Sequence, residues 1–185
     1  MTTVSVRLPA AARPLTLDDV AELAERDPDH RYELQEGNLL IMPPPDAEHA
    51  EMSVRISAWL FANGYQGRVL ATPGVRVGNS GRSPDVVVLV APSSVRTVWI
   101  EPADVLLAIE IVSPGSMELD RHTKPREYAA AKIPNFWRVE REGAATVHFF
   151  GLGTGADGSP TYVPRGTALL DDLLTGPVPN LIPAG

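Results

Sequence analysis

The sequence predicts an α/β (α+β) domain in which helices flank a central mixed β-sheet, entered through an N-terminal helix and hairpin. Three observations predict it. The periodic segments run in the order helix, hairpin, helix, several strands, helix, hairpin. Two apolar runs read as strands, DVVVLVA from Asp85 and VLLAIEIVS from Val105, and the second carries apolar residues on both faces, as a strand inside a sheet must. Between the strands, apolar residues at helical spacing supply the covering layer. With 185 residues, 44% of them hydrophobic, the chain is long and apolar enough for one domain with a substantial core. Its 18 prolines, about twice the usual share, predict many turns.

Residues 1–14 hold two prolines and no sustained period, and are expected to form a flexible N-terminal arm. Thr16 followed by Asp19 is a variant capping box, and Val20, Leu23 and Ala24 continue a helix over 17–26. RYELQEGNLLIM reads as a hairpin turning at Glu36-Gly37-Asn38 and ending at Pro43-Pro44-Pro45. A second helix is expected from Ala47 to Phe61, its stripe formed by Val54, Ala58 and Phe61 with Met52, Ile56 and Trp59 on neighbouring turns. RVLA and VRV are short strands before a Gly-rich turn over Gly78 to Gly81, and the two apolar strands follow. MELDRHTKPREYAAAK is the third helix, with Pro125 in its first turn, where a missing N–H does no harm. NFWRVE and TVHFFG close the sheet around Glu142-Gly143. Residues 15–151 therefore form the domain, and 152–185 a Gly/Pro-rich extension packed on it through the knot ALLDDLL.

Charge and cysteine usage exclude several function classes. The 16 Lys and Arg residues against 23 Asp and Glu residues leave a net charge of −7, so any contact with nucleic acid must be local. Without cysteine there is no disulfide framework, thiolate zinc site or cysteine nucleophile. The N-terminus lacks an apolar signal core, and the longest apolar run, Val86 to Ala91, is far short of the about 20 residues a bilayer needs; a cytoplasmic location is the expectation.

Strand parity picks out the chemistry. It sets Ala108, Glu110 and Val112 on one face and Leu107, Ile109 and Ile111 on the other, so a carboxylate interrupts an apolar surface. Glu110 is then either a functional carboxylate or a strand-end charge reaching water past Ser113-Pro114. Asp85, in register with Val87 and Leu89, is either its partner or a turn-former after proline. Two such carboxylates on one face need a proton or cation between them, and oxygen ligands suit Mg²⁺ or Mn²⁺. On pattern alone Lys124 is a solvated helix lysine and Glu33 part of a solvated face with Arg31 and Gln35. Arg121, Lys124, Arg126 and Lys132 cluster in sequence with only Glu127 opposing them, a local basic patch or merely a charged helix face. His49 and His122 lack ligand spacing and read as surface or hydrogen-bonded residues, and Tyr128 as packing on the Lys124 stem.

Ser83-Pro84-Asp85, Glu110-Ile111-Val112-Ser113-Pro114, Asp120, Lys124 and Tyr128, in that order, resemble the signature of the Uma-two family, described as putative restriction endonucleases with a PD-(D/E)xK nuclease-like fold. Arg31-Tyr32-Glu33-Leu34, Gly37, Met42-Pro43-Pro44-Pro45 and His49 match the family's opening, and Ile133-Pro134 with Phe136-Trp137 its end. The resemblance implies a restriction-endonuclease-like sheet, Asp85 and Glu110 as ligands for Mg²⁺ or Mn²⁺, Lys124 as the catalytic lysine and Glu33 as a further acid. Val112 stands where the motif has its lysine, so the resemblance implies that Lys124 has migrated to the next helix, where Pro125 disfavours helical geometry at Lys124 itself. Lys132 replaces the glycine usual before the Ile-Pro pair.

The function expected is Mg²⁺-dependent hydrolysis of DNA phosphodiester bonds, with the patch of Arg121, Lys124, Arg126 and Lys132 meeting phosphates. Cutting both strands of a duplex would favour a homodimer. The alternatives are a non-catalytic interaction or metal-binding protein that keeps the nuclease fold, and a hydrolase of another phosphoester.

Overall fold

The computed structural model describes residues 13–92 and 97–183, so the expected arm lies outside the described residues except for its last two positions. Helix α1 (Leu17–Arg26) starts as its capping box dictates, with the Thr16 side chain accepting from the Asp19 N–H and the Asp19 carboxylate accepting from the Thr16 N–H. Strands β1 (Arg31–Gln35) and β2 (Asn38–Met42) form the hairpin, with Glu36 and Gly37 both at positive φ, as a tight two-residue turn requires. A Cβ on Gly37 would sit 2.5 Å from the Pro14 Cβ, which leaves no residue but glycine there.

Helix α2 (Ala47–Ala62) is capped by Asp46 and buries Met52, Ile56, Trp59 and Leu60. The stripe expected through Val54, Ala58 and Phe61 instead faces outward, Val54 being 68% exposed. Two apolar stripes compete on this helix, and the one with more apolar area takes the core.

Short strands follow: β3 (Val69–Ala71), β4 (Gly74–Val77), β5 (Ser80–Arg82), β6 (Val86–Leu89) and β7 (Trp99–Ile100), then the fully buried β8 (Val105–Ile111). A π-helical turn (Leu119–Thr123) runs into α3 (Lys124–Ala130), and β9 (Asn135–Glu140), β10 (Thr146–Thr154), β11 (Pro160–Leu169) and the short helix α4 (Leu170–Leu173) complete the chain. The mixed sheet is divided in two, one ordered β2-β1-β5-β4-β7 and the other β11-β10-β9-β8-β6-β3. The chain crosses between them at Thr72-Pro73 and again at Ser83-Pro84, where proline cannot donate to a ladder. The Ser83 hydroxyl donates to the Thr72 carbonyl (3.1 Å) and the Thr72 N–H to the Asp85 carbonyl (3.0 Å), tying the two crossings together.

In the six-stranded sheet β8 and β9 are parallel, joined by the crossover that carries α3. Leu107, Ile109 and Ile111 pack with α2 and α4, while Ala108, Val87 and Leu89 pack with Tyr128, Ile133 and Phe136 beneath α3. The predicted parity thus holds, with Glu110 and Asp85 on the α3 side. Residues 160–169, expected within an irregular extension, are an edge strand paired along β10, with a bulge at Phe149/Phe150. Pro160 and Pro164 disguise it in the sequence, and an edge position tolerates them. No helix among the described residues is long and apolar enough to cross a membrane.

Lys132 follows α3 at φ 62°, with the Ile133 N–H bonded to the Tyr128 carbonyl and the Lys132 N–H to the Ala129 carbonyl. This is a left-handed helix end, a conformation that glycine adopts without strain. Lys132→Gly is expected to raise stability by about 1 kcal/mol in urea denaturation, the left-handed strain outweighing glycine's entropy. An unchanged or lower midpoint would show that the lysine has a compensating contact.

Candidate active site

Strands β6 and β8 pair with Val86 opposite Ile109, and continuing that register by one residue sets Asp85 opposite Glu110. Asp85 extends the ladder with its side chain, Oδ2 accepting from the Ile111 N–H (2.8 Å) and lying 3.1 Å from His49 Nε2. Its other oxygen has only Arg31 Nη1, at 3.4 Å. Burial pushes the Asp85 carboxyl up, but the His49 ring, the Ile111 N–H and the Lys124 charge more than reverse this and hold it below the ordinary carboxylate range.

Glu110 is 1% exposed, and both oxygens are bonded: Oε2 to Lys124 Nζ (3.0 Å) and Oε1 to the Tyr128 hydroxyl (2.6 Å). Burial raises its pKa well above the usual value; Lys124 opposes the rise, and Asp120, Asp85 and Glu33 add to it. Lys124 is not a solvated lysine. It is 2% exposed and its ammonium lies 2.9 Å from Asp120 Oδ1, 3.0 Å from Glu110 Oε2 and 3.4 Å from Glu33 Oε1. Burial pulls its pKa down, yet Glu110, Glu33, Asp120 and Asp85 together raise it above that of a free lysine, so it stays an ammonium. Its backbone is helical (φ −59°, ψ −42°) in spite of Pro125, and its N–H reaches back five residues to the Leu119 carbonyl. The widened turn falls where the proline supplies no donor, and it aims the lysine inward.

Glu33 is fully buried, in contrast to the solvated face expected for it with Arg31 and Gln35. Oε1 accepts from the Ser83 N–H (3.0 Å) and Oε2 from Arg82 Nη1 (3.1 Å). Arg82, itself fully buried, also grips Glu127 in a fork of 2.6 and 2.8 Å. A continuous ionic chain thus runs Glu127, Arg82, Glu33, Lys124, Glu110. Asp120 joins at its end; burial raises its pKa, and Oδ1 lies beside the ammonium without hydrogen-bond geometry.

Asp85, Glu110, Asp120, Lys124 and His49 line one cavity of about 240 Å³ behind Pro43-Pro44-Pro45. Asp120, Tyr128, Arg82 and Glu127 were not among the expected site residues. The i,i+4 spacing of Asp120, Lys124 and Tyr128 signals the first two, whereas no local pattern links Arg82 to Glu127. Tyr128 is a hydrogen-bond donor to Glu110, more than packing for the lysine stem, and His49 is hydrogen-bonded as expected. His122 lies on the far side of α3. The expected basic patch is not one surface: Lys124 is buried, Arg121 is bound by Glu140 (3.1 and 2.7 Å), and Arg126 and Lys132 are exposed. Among the described residues no three His, Asp or Glu side chains form a ready-made metal cage.

This architecture, with a parallel crossover strand pair and an acid and lysine cluster at the sheet crossing, is that of a restriction-endonuclease-like fold. It is similar to the crystal structure of a putative nuclease belonging to DUF820 from Anabaena variabilis, with a TM-score of 0.64 and 16% identity over 88% of this chain and 98% of that one. The Uma2 family model, described as putative restriction endonuclease, matches residues 17–180, and the chain belongs to that family. No curated protein matches it.

Proposed function

We propose that the protein is a metal-dependent endonuclease that hydrolyses DNA phosphodiester bonds, with Asp85 and Glu110 holding Mg²⁺ or Mn²⁺ and Lys124 as the catalytic lysine. The observation that carries this reading is the convergence of two carboxylates and one ammonium on a single cavity, from β8, the start of β6 and the start of α3. The donor set fits a hard cation. Asp85 Oδ1 has only its long contact with Arg31, Glu110 lines the same cavity, and Mg²⁺ takes one or two carboxylates and keeps water in its other positions. A cation so held supplies Lewis acidity toward a phosphoryl oxygen and toward water.

The chain's own residues divide the remaining work. Lys124, held as an ammonium, cannot accept a proton at neutral pH; it donates hydrogen bonds to the attacking water or offsets charge developing on the phosphate. Glu33 and Asp120 keep it charged and aimed, and Arg82 fixes Glu33. His49 and the Ile111 N–H orient Asp85 so that its second oxygen faces the cavity. One observation favours a second reading, a non-catalytic protein that keeps the fold: both Glu110 oxygens are already bonded within the chain.

Cleavage of supercoiled, linear and single-stranded DNA with Mg²⁺, with Mn²⁺ and with EDTA separates the two. The expected result is cutting only with metal, reduced at least about a hundredfold by Asp85→Asn, the scale of losing one preorganised electrostatic group. No cutting of any DNA with either metal would favour the non-catalytic reading, and cutting confined to a small phosphodiester would change the substrate class.

A further inference from the structure

A second cavity, of about 490 Å³, opens on the opposite side of α3, against β9, β10 and β11. It shares no lining residue with the cavity around Asp85: Asp120 and Lys124 face one, their chain neighbours Arg121 and Pro125 the other. Its size falls within the about 300–1,000 Å³ of small-molecule sites. In a chain of net charge −7 its lining contains Arg121, His122, Arg126 and Arg138 and no carboxylate.

The positive charge there is incompletely compensated. Arg126 is exposed and has no ion-pair partner among the described residues. Arg121 and Arg138 draw mainly on one acid, Glu140, at 2.7 and 2.8 Å, with Glu142 a further contact of Arg121 at 3.8 Å. Beside them stands an aromatic wall. Phe136 lies nearly parallel to Phe150 (26°, 5.7 Å between centroids) and to Tyr162 (29°, 5.4 Å), and the Arg138 guanidinium sits over Phe150 at 5.6 Å. Phe136 is buried, so Phe150 and Tyr162 present the accessible ring surface. The Tyr162 hydroxyl donates to the Ile133 carbonyl (2.9 Å), which fixes its ring.

We propose that this groove binds a nucleoside phosphate, its phosphate against the guanidinium groups of Arg126, Arg121 and Arg138 and its base against Phe150 and Tyr162. Guanidinium forks match phosphate oxygens in geometry and charge, and every base has a face that stacks on an aromatic ring. A simple anion would leave the rings unused, and an uncharged aromatic would leave Arg126 unpaired; a nucleotide satisfies both. The ligand is either a free nucleotide or one unit of a strand. Because the site is separate from Asp85 and Glu110, the inference does not rest on the endonuclease reading.

Calorimetric titration of the full chain in EDTA, where no metal-dependent chemistry takes place, tests it with three probes: deoxyadenosine 5′-monophosphate, a deoxyadenosine hexamer and inorganic phosphate. Saturable binding of the nucleotide at least tenfold tighter than phosphate is expected. Arg126→Ala should weaken it at least tenfold, and Phe150→Leu should do the same while melting normally. A hexamer at least tenfold tighter than the mononucleotide identifies a strand as the ligand, and equal affinities identify a free nucleotide. Absence of saturable binding by both nucleotide probes, phosphate binding as tightly as the nucleotide, or binding unaffected by Arg126→Ala would overturn the proposal. Arg126 is exposed, so its variant remains informative even where Phe150→Leu fails to fold.

Discussion

Lys124→Met is expected to destabilise the folded protein by about 3–5 kcal/mol and to end any cleavage, because it leaves buried carboxylates without their counter-charge. Met fills nearly the same volume, so lost packing contributes little. The deficit should depend on pH in a defined direction. Burial already raises Glu110 and Asp120 above their ordinary values, and removing the ammonium raises them further. A carboxyl whose pKa is higher folded than unfolded takes up protons on folding, so its contribution to stability is present at low pH and lost as pH rises above the unfolded value. The difference from wild type is therefore expected to be largest at mildly alkaline pH and to shrink on acidification toward the carboxylate range. Urea denaturation in EDTA across that interval measures it. A difference that stays constant with pH would mean that the lysine contributes contacts alone.

How much of this was legible in the sequence follows from how local each signal is. Thr16 and Asp19 lie three residues apart, and the helix they start is where they place it. The alternation around Glu110 reports the two faces of one strand, so the side on which the carboxylates meet could be read before any partner was known. On local pattern alone Glu33 reads wrongly, for the same reason reversed, and only the family resemblance marked it as a further acid. Its local face, shared with Arg31 and Gln35, is polar, and only a strand from 49 residues later, bringing Arg82, makes that face an interior one. The direction of Lys124 was hidden because Pro125 argues against a regular helix there, and the π-helical turn that resolves the conflict has no sequence signature. The edge strand β11 was concealed by prolines that an edge permits, and the face of α2 by two apolar stripes of which only one could be buried.

The site occupies one of the points where the chain changes sheets. Ser83-Pro84-Asp85 ends pairing in one sheet and begins it in the other, and Glu33 from the first sheet holds the Ser83 N–H at that step. The proposed site and the sheet geometry are therefore fixed by the same residues, which explains why this ionic chain sits at a junction rather than on a loop. Four carboxylates, Glu33, Asp85, Glu110 and Asp120, surround the single ammonium of Lys124. Arg82 and Arg31 engage the outer pair, Glu33 and Asp85, and the balance around Lys124 remains negative.

That negative excess sets the sign of the second large effect. Glu110→Gln is expected to reduce metal-dependent cleavage at least about 10²–10³-fold while leaving the protein at least as stable as wild type in EDTA. The amide is nearly isosteric, keeps an oxygen that accepts from Lys124 or Tyr128, and removes one of several mutually repelling charges in a buried setting. Lys124 retains Asp120 and Glu33, so it is not orphaned. Added Mg²⁺ should separate the two proteins: a ligand at 100 times its Kd stabilises by about 2.7 kcal/mol, a gain expected for wild type and lost in the variant. Thermal melts with EDTA and with Mg²⁺, read beside plasmid cleavage, decide the matter. Marked destabilisation in EDTA together with unchanged cleavage would make Glu110 a structural partner of Lys124 and remove it from the chemistry. Glu110→Gln and Lys124→Met cut the same 3.0 Å pair from opposite ends, so a cost for one and none for the other is the outcome that an acidic, cation-ready cluster requires and a balanced structural ion pair does not.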